Sequence, residues 1–354
     1  LRHSRGEESM QPETLTIAQA ILSGDATLES RLDANLTELS GQCFLWLIDD
    51  DDDEAQRIAA TLVKKHADAR LRVELCPPCP TGINPKVWKL RHAATLVTTP
   101  YFCVLDDDTT ISAASAATLV SAAQDHTIAT GLPCYDSVGG AASQLLSQFV
   151  NNSSAFTYLA TSRLLPAITV NGMGYVLRSE ELTKFHHFEP ILHHLTDDYA
   201  IATLVLQRGG NIHQSTAPLR VQTNVRDFSH YIELMHRWYV FAWLLLKRQS
   251  RSVQFVIFCL HGLPSFLLLA IVSLTIFTRQ GQSWFVLLAV LVMRYLLLSS
   301  TLRRYFGANL HRAWYSIASE LLQPLHLIHA LCCRTIRWRK RRYRVFRNDY
   351  FTES

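Results

Sequence analysis

The sequence predicts an α/β domain with a mainly parallel sheet, followed by a membrane-associated helical region. Up to about Arg251, strand-sized apolar segments alternate with helical segments, which is the pattern of a parallel sheet covered on both faces. From Ser252 to Thr278 the chain contains no Asp, Glu, Lys or Arg. That stretch is longer than the roughly 20 apolar residues that cross a bilayer.

The first half supplies the predicted sheet. Its strands are LTIAQAIL (15–22), CFLWLID (43–49), ARLRVELC (69–76) and YFCVLDDD (101–108). Helices are predicted over 25–39, 54–66, 86–97 and 112–123, then over 143–160 and from Asp197 to Gly209, with Thr196 as a cap. Ligands of parallel sheets bind beyond the carboxyl ends of the strands, so polar residues there are candidate site residues.

Three acidic clusters occupy such positions. Five aspartates, Asp49 to Asp53, follow the second strand, Asp106 to Asp108 end the fourth, and Asp197 and Asp198 begin a helix. So much like charge is costly unless a cation binds there. For any one run, a solvated acidic loop remains the alternative.

Asp106 and Asp108 are the candidate metal ligands. Residues two apart point to the same side of an extended chain. Their hard oxygens suit Mg²⁺ or Mn²⁺ that also takes phosphate oxygens from a substrate. The sequence therefore predicts a divalent cation holding a diphosphate.

Charge and cysteine content exclude other classes. The net charge of +4 is too small to indicate nucleic acid, and the base is concentrated around the apolar segments and in residues 334–347, as expected beside an anionic membrane surface. The eight cysteines are scattered, and CPPC at 76–79 has no Cys or His partner at metal-site spacing. Neither a disulfide framework nor a zinc site is predicted.

The order of these motifs resembles that of a known enzyme class. A strand-end Asp, a DxD, a helix-start Asp and HRW (236–238) follow one another as in nucleotide-sugar glycosyltransferases of the GT-A fold. Further segments resemble the ceramide glucosyltransferase family over about residues 40 to 345. They are GINPKVWKL (82–90), GLPCYD (131–136), VNGMGYVLRSEEL (170–182), DDYAIATLVLQRG (197–209) and WRKRRYR (338–344).

The resemblance implies a membrane-bound, inverting enzyme that transfers glucose from UDP-glucose to the hydroxyl of ceramide or a similar lipid. Asp49, or its competitor Asp51, would contact the uridine. Asp106 and Asp108 would hold Mn²⁺ or Mg²⁺ and the diphosphate. Asp198 would be the general base that takes the proton from the acceptor hydroxyl.

The resemblance also implies supporting roles. Arg237 and Trp238 would lie beside the diphosphate and the acceptor, although an amphipathic helix with Trp at a membrane interface explains them equally well. Lys86 would help to bind the nucleotide. Asn171 and Gly172 would leave room for the sugar, because Gly permits close backbone approach.

Two features depart from the family pattern. Leu234 stands where the motif ending in Arg-Trp has Gln or Arg, which removes one polar contact. The family's amino-terminal anchor is not seen, so the carboxyl half is expected to attach the enzyme to the membrane.

The carboxyl half is predicted to form a membrane hairpin. The spans are 252–278 and 284–302, and Arg294 in the second should face protein or snorkel. Basic residues at both ends are expected to place the catalytic domain in the cytoplasm, and Ala313–Cys333 is interpreted as an interfacial or re-entrant helix. The predicted organisation is a catalytic domain over 1–250, two spans over 251–303, and the interfacial helix with a basic tail over 304–354.

Alternatives remain at this stage. The same mechanism serves a hopanoid or another lipid acceptor, or another UDP-sugar. A non-catalytic membrane protein that binds divalent cations is a different class, but it gives no reason for HRW or for a helix-start Asp198.

Overall fold

The computed structural model describes residues 10–338, 341–348 and 350–353. The chain divides into two compact units. The first comprises the described part of Leu1–Leu132 and Ala167–Val221, and the second comprises Pro133–Pro166 and the described part of Gln222–Ser354. The predicted functional division at residues 250 and 303 stays a prediction.

The main sheet is mixed, with a parallel half. Its strands are β1 (Leu15–Ile21), β2 (Cys43–Asp49), β3 (Arg70–Cys76), β4 (Tyr101–Leu105), β5 (Thr109–Thr110), β6 (Ile128–Ser137), β7 (Gly174–Arg178) and β8 (Ile212–Thr223). Among the described residues they lie in the order β3-β2-β1-β4-β7-β6-β8-β5. The strands β3, β2, β1 and β4 are parallel, whereas β7 is antiparallel to β4 and β6, and β5 to β8.

Helices fill the remaining sequence much as predicted. They are α1 (Leu28–Glu38), α2 (Asp53–Lys65), α3 (Pro85–Ala94), α4 (Ala113–Asp125), α5 (Ala141–Ser153), α6 (Leu159–Leu164), α7 (Ser179–Lys184), α8 (Asp197–Gln207), α9 (Phe228–Lys247), α10 (Arg251–Ile257), α11 (Leu263–Thr278), α12 (Gly281–Phe306) and α13 (Ala313–Cys332). A π-helical turn, Ser154–Tyr158, joins α5 to α6. Strands β1 and β2 are buried almost throughout, as expected for central parallel strands with both faces covered.

The fourth strand is shorter than predicted. It ends at Leu105, and Asp106–Asp108 form a turn that leads into β5. The turn is fixed because Asp106 N–H donates to the Met173 carbonyl at 2.9 Å and Thr109 N–H donates to the Asp106 carbonyl at 3.1 Å. The argument from alternating side chains on an extended chain is therefore wrong for Asp106 and Asp108.

Two helical segments of the second unit are long and apolar enough to cross a membrane. They are Arg251–Thr278 and Gly281–Phe306. A π-helical turn, Phe258–Gly262, separates α10 from α11 in the first of them. Large apolar side chains stand exposed on both, with Phe277 at 85% and Phe285 at 72%. An exposed apolar surface of this kind is typical of a membrane contact.

The charged residue inside the second segment faces protein, as predicted. The guanidinium of Arg294 pairs with the Glu320 carboxylate and donates to Ser316 Oγ at 2.8 Å. Both Arg294 and Glu320 are buried, at 10% and 8% side-chain exposure. The partners come from α13, one helix with Pro324 in its interior. Its interfacial position stays a prediction.

The carboxyl-terminal segment contains a small sheet that the sequence did not predict. Strands β9 (Thr335–Trp338), β10 (Arg341–Arg347) and β11 (Tyr350–Glu353) pair antiparallel in the order β11-β10-β9 within the described part of the segment. Arg339 and Lys340, in the middle of WRKRRYR, lie outside the described residues.

Candidate active site

The start of α3 organises the acidic site of the first unit. Asn84 is the N-cap of α3, and its Oδ1 accepts hydrogen bonds from the backbone N–H groups of Lys86 at 3.0 Å and Val87 at 3.4 Å. Pro85 follows at the first helical position, where no N–H is needed. The Asn84 amide also donates to the carbonyls of His194 and Leu195. One side chain thus joins the start of α3 to the loop that precedes α8.

Lys86 connects three segments of the first unit. Its Nζ lies 2.6 Å from Asp106 Oδ1 and 2.8 Å from Asp197 Oδ2, and it donates to the Gly172 carbonyl at 3.0 Å. The side chains of Lys86 and Asp197 are only 20% and 15% exposed. The DxD turn, the start of α8 and the loop before β7 therefore meet at one ammonium group.

Asp198 lies against that loop. A Cβ added to Gly172 would stand 3.3 Å from Asp198 Oδ2, so a side chain at position 172 would press on this carboxylate. Asp198 Oδ1 accepts a hydrogen bond from Tyr199 N–H at 2.7 Å. Asn171 is buried and holds the loop, because its Oδ1 accepts from Met173 N–H and its amide donates to the Gly131 carbonyl. Asp198 therefore approaches Gly172 closely, and the predicted room for a sugar at this loop stays a prediction.

The crowded, buried charges of the site change the pKa values of its residues. Burial, with the charges of Asp108 and Asp197, raises the pKa of Asp106 to about 7 despite the adjacent Lys86. Burial and then the charge of Asp197 raise the pKa of Asp198 to about 6. Burial alone would lower the pKa of Lys86, but Asp106 and Asp197 outweigh it and raise that pKa well above its ordinary value. The site stabilises added positive charge.

The DxD turn fits a divalent cation on these grounds. Asp106 and Asp108 offer hard oxygen ligands, which Mg²⁺ and Mn²⁺ prefer. Burial is the main cause of the raised pKa of Asp106, and a cation there would offset both the burial of its charge and the repulsion from Asp108 and Asp197. Asp107 instead accepts a hydrogen bond from Leu22 N–H at 2.8 Å, which ties the turn to the end of β1. Asp106 and Asp108 thus stay the predicted metal ligands.

Sequence reasoning missed a second lysine of α3. Lys89 is 4% exposed, its Nζ lies 2.9 Å from Asp49 Oδ2, and it donates to the Ile21 carbonyl at 2.9 Å. The available signal was the spacing of Lys86 and Lys89, which puts residues three apart on one helix face. Asp51 is exposed in the turn before α2, so Asp49 is the member of this pair that is held in place.

Arg237 and Trp238 belong to α9 in the second unit. A cleft of about 130 Å³ there is lined by Arg226, His230, Glu233, Leu234, Arg237 and Arg337. Arg337 donates to Glu233 Oε1 at 3.2 Å. Three guanidinium groups around one cleft suit a phosphate group. Leu234, the departure from the family motif, supplies part of its apolar wall.

Trp238 packs within an aromatic group of the same unit. Its ring stacks on Phe149 at a centroid distance of 6.2 Å and meets Tyr135 edge-on at 6.4 Å. Such pairs stabilise a fixed ring orientation. The contacts agree with both interpretations of Trp238, a wall beside the acceptor and a packing residue, and its role stays a prediction.

Comparison with known proteins identifies the family. The sequence profile of Glycosyl transferase family 21 matches residues 3–350. No curated protein matches the sequence.

Among solved structures, a mannosyltransferase from Pyrobaculum calidifontis, in complex with GDP-Man and Mn²⁺, aligns with a TM-score of 0.51 at 13% identity, over 92% of this chain and 89% of that chain. Glucosyl-3-phosphoglycerate synthase from Mycobacterium tuberculosis, in complex with phosphoglyceric acid, aligns with a TM-score of 0.37 at 16% identity, over 63% and 77%.

These findings confirm the predicted GT-A fold, with its mostly parallel mixed sheet and two apolar helices in the carboxyl-terminal region. They also confirm the resemblance drawn from the sequence motifs. The chain belongs to glycosyl transferase family 21, the ceramide glucosyltransferase family, and is a nucleotide-sugar glycosyltransferase.

Proposed function

We propose that the protein is a membrane-bound, inverting glycosyltransferase that moves glucose from UDP-glucose to the hydroxyl of ceramide or a similar lipid. One observation carries the proposal. Lys86 joins Asp106 of the DxD turn to Asp197, and its third contact, the Gly172 carbonyl, belongs to the residue that lies against Asp198. Lys86 and Asp106, which suit a diphosphate and its cation, are thus held close to Asp198, whose carboxylate can accept a proton.

Asp198 is the proposed general base. As the acceptor oxygen bonds to the anomeric carbon, the bond from that carbon to the diphosphate oxygen breaks, and UDP leaves with the electron pair. The hydroxyl proton passes to the Asp198 carboxylate, and a single displacement inverts the anomeric centre. A pKa of about 6 suits this role, because a base works best when its pKa is near the working pH.

The donor side requires cations. Mn²⁺ or Mg²⁺ held by Asp106 and Asp108 would neutralise the charge that develops on UDP. Lys86 keeps a permanent positive charge beside Asp106, as its raised pKa indicates. Asp49, oriented by Lys89, is the proposed contact for the uridine. Asn171 and Gly172 shape the loop beside the sugar.

For Arg237 and Trp238 of the second unit we propose the roles that the family resemblance implies, Arg237 with the diphosphate and Trp238 with the acceptor. The family is membrane-bound, and the exposed apolar helices Arg251–Thr278 and Gly281–Phe306 supply a lipid-facing surface. The charge distribution around them favours a catalytic domain on the cytoplasmic side. A lipid acceptor would then enter from the same membrane that anchors the enzyme.

The test is product analysis with purified protein in detergent or lipid. Wild type would be incubated with UDP-glucose, Mn²⁺ or Mg²⁺, and ceramide, and the product identified by mass. The Asp198→Asn variant should give no glucosylceramide, whereas Asp68→Asn, which changes an exposed aspartate on another surface of the first unit, should match wild type.

Parallel reactions with other UDP-sugars, a hopanoid and long-chain alcohols define the substrates. If product forms only with one of these substrates, the proposed donor or acceptor is wrong and the proposed mechanism is kept. Intact UDP-sugar binding without product from any acceptor would contradict the proposed transfer.

A further inference from the structure

The second unit contains a cluster of possible metal ligands that shares no residue with the acidic site. His236 of α9, His329 of α13 and Cys333, which follows α13, each offer a ligand atom, and these atoms lie within 4.8 Å of one another. We call these three residues the HHC cluster. The two imidazole rings stack at a centroid distance of 4.1 Å. The cluster thus joins two helices and the start of the carboxyl-terminal sheet.

The hydrogen bond of His236 fixes which of its nitrogens is available. Nε2 lies 3.2 Å from the Thr335 carbonyl oxygen, and a carbonyl can only accept, so Nε2 carries the hydrogen. Nδ1 then carries the lone pair. This nitrogen is buried and has no hydrogen-bond partner among the described residues. Metal-binding histidines typically donate their other N–H to a carbonyl or carboxylate in this way.

We propose that the HHC cluster binds a thiophilic divalent cation of the Zn²⁺ class. Two imidazole nitrogens and a thiolate form a ligand set that suits zinc and differs from the hard oxygens of the DxD turn. Zinc–ligand bonds of about 2.0 to 2.3 Å require ligand atoms about 3.5 Å apart, so binding would draw the three side chains slightly together. Cys333 would lose its proton on binding.

The burial of the three cluster residues indicates how an ion can reach them. His236 is buried, Cys333 is half-buried and His329 is exposed, so the ion can enter from the side of His329. Three protein ligands leave the fourth position of a tetrahedral zinc ion for water. His236 precedes Arg237, and Thr335 opens β9, which carries Arg337, the partner of Glu233. The ion would hold together two sides of the arginine-rich cleft, whichever sugar and acceptor the enzyme uses.

Cobalt substitution of the full-length protein tests this site. Co²⁺ bound to a thiolate absorbs in the near ultraviolet through charge transfer, whereas Co²⁺ bound to carboxylates does not. Wild type should show this band at one equivalent, and so should Asp106→Asn, which leaves the three cluster residues unchanged. Cys333→Ser and His329→Gln should weaken Co²⁺ binding at the site by more than about tenfold, and Cys333→Ser should abolish the band.

Cys332→Ser is the matched control, because Cys332 is adjacent, exposed and outside the cluster. It should bind Co²⁺ and Zn²⁺ like wild type. A missing band in folded wild type, a band that survives Cys333→Ser, or a band lost in Cys332→Ser would overturn the proposal. Circular dichroism of each variant establishes that it is folded.

Discussion

At Asp198, burial and the charge of Asp197 raise the pKa of the carboxyl group to about 6. Lys86, whose Nζ lies 2.8 Å from Asp197 Oδ2, lowers the pKa of Asp198 and so favours its ionised form. A general base acts only when it is ionised, so the active fraction increases as the pH rises through the pKa. Activity should therefore fall about tenfold per pH unit below about 6 and level off above it.

A pH profile of kcat/KM for the acceptor, at saturating donor and Mn²⁺, measures this dependence. Saturating metal keeps Asp106 ionised, so that the remaining limb reports Asp198. A profile that stays flat from about pH 7 to pH 5 would contradict the assignment of Asp198 as the base.

Gly172 offers a second residue-level prediction. A methyl group at this position would lie 3.3 Å from Asp198 Oδ2 and 3.4 Å from its Cβ, and would displace the carboxylate. Gly172→Ala should lower kcat by about 10- to 100-fold, because small misplacements of a catalytic group cost about that much.

Gly140→Ala is the control, since a Cβ at Gly140 meets no atom within 4 Å and needs no unusual backbone conformation. Steady-state kinetics of both variants, with unfolding midpoints to confirm that they fold, make the comparison. Unchanged kcat in Gly172→Ala would mean that Asp198 is not held against this loop during turnover.

The sequence predicted some of the candidate site residues and missed others. The importance of Asp106 and Asp198 followed from acidic pairs at the ends of elements and from the family resemblance, and the structure brings their segments together through Lys86. Lys89 was hidden because a lysine on a helix is usually solvated, and burial appears only with tertiary packing. The HHC cluster was hidden because its members are far apart in sequence and meet only through helix packing.

On the scale of elements, the buried ion pair between α12 and α13 gives a prediction about stability, because losing one partner should lower the free energy of unfolding. Glu320→Gln leaves the Arg294 guanidinium buried without its carboxylate. Removing one partner of a buried pair costs about 3–5 kcal/mol, whereas replacing both by apolar groups is often neutral or stabilising. We therefore expect Glu320→Gln to lower the unfolding midpoint by several degrees, and Arg294→Met with Glu320→Leu to restore most of it.

Thermal unfolding in detergent, followed by circular dichroism, measures these shifts. Arg304→Met is the comparison, because Arg304 is an exposed arginine at the end of the same helix. A double variant that is less stable than Glu320→Gln would show that the pair itself stabilises the helix contact.

Sequence periodicity predicted most elements but not their ends. The strand β2 and the helix α2 lie within one residue of the predicted bounds, because a short continuous apolar run marks the strand and a cap marks the helix. Strand β4 stops before the aspartates because backbone hydrogen bonds of Asp106 and Thr109 form a turn. The sheet of β9, β10 and β11 was missed because the arginines of β9 and β10 resemble a solvated tail.

For the whole molecule, the basic residues around the apolar helices predict a topology. The loop at Gln280, between α11 and α12, should face the side opposite to Cys332, which is exposed at the end of α13. An impermeant thiol reagent is added to sealed vesicles of known orientation. It should label Gln280→Cys only from the non-cytoplasmic face of the membrane and Cys332 only from the cytoplasmic face. Peptide mass analysis identifies the labelled residue. Labelling of both from one face would contradict a membrane hairpin.

The fold class followed from alternation of strands and helices, and the parallel half from β3 to β4 agrees with it. The mixed half could not be predicted. Its neighbours β7, β6, β8 and β5 come from distant parts of the chain, and their antiparallel pairing depends on tertiary packing rather than on local pattern. The same limit applies to the association of the DxD turn with the start of α8.

The most direct measurement separates chemistry from donor binding in Asp198→Asn. The substitution keeps the shape of the side chain and removes the base, so kcat should fall by about 10²- to 10⁴-fold. The Kd for UDP-glucose with Mn²⁺ should change by less than about twofold. Single-turnover kinetics and calorimetric donor binding give both values. Turnover within about tenfold of wild type would contradict Asp198 as the base, and a matching loss of donor binding would place it on the donor side.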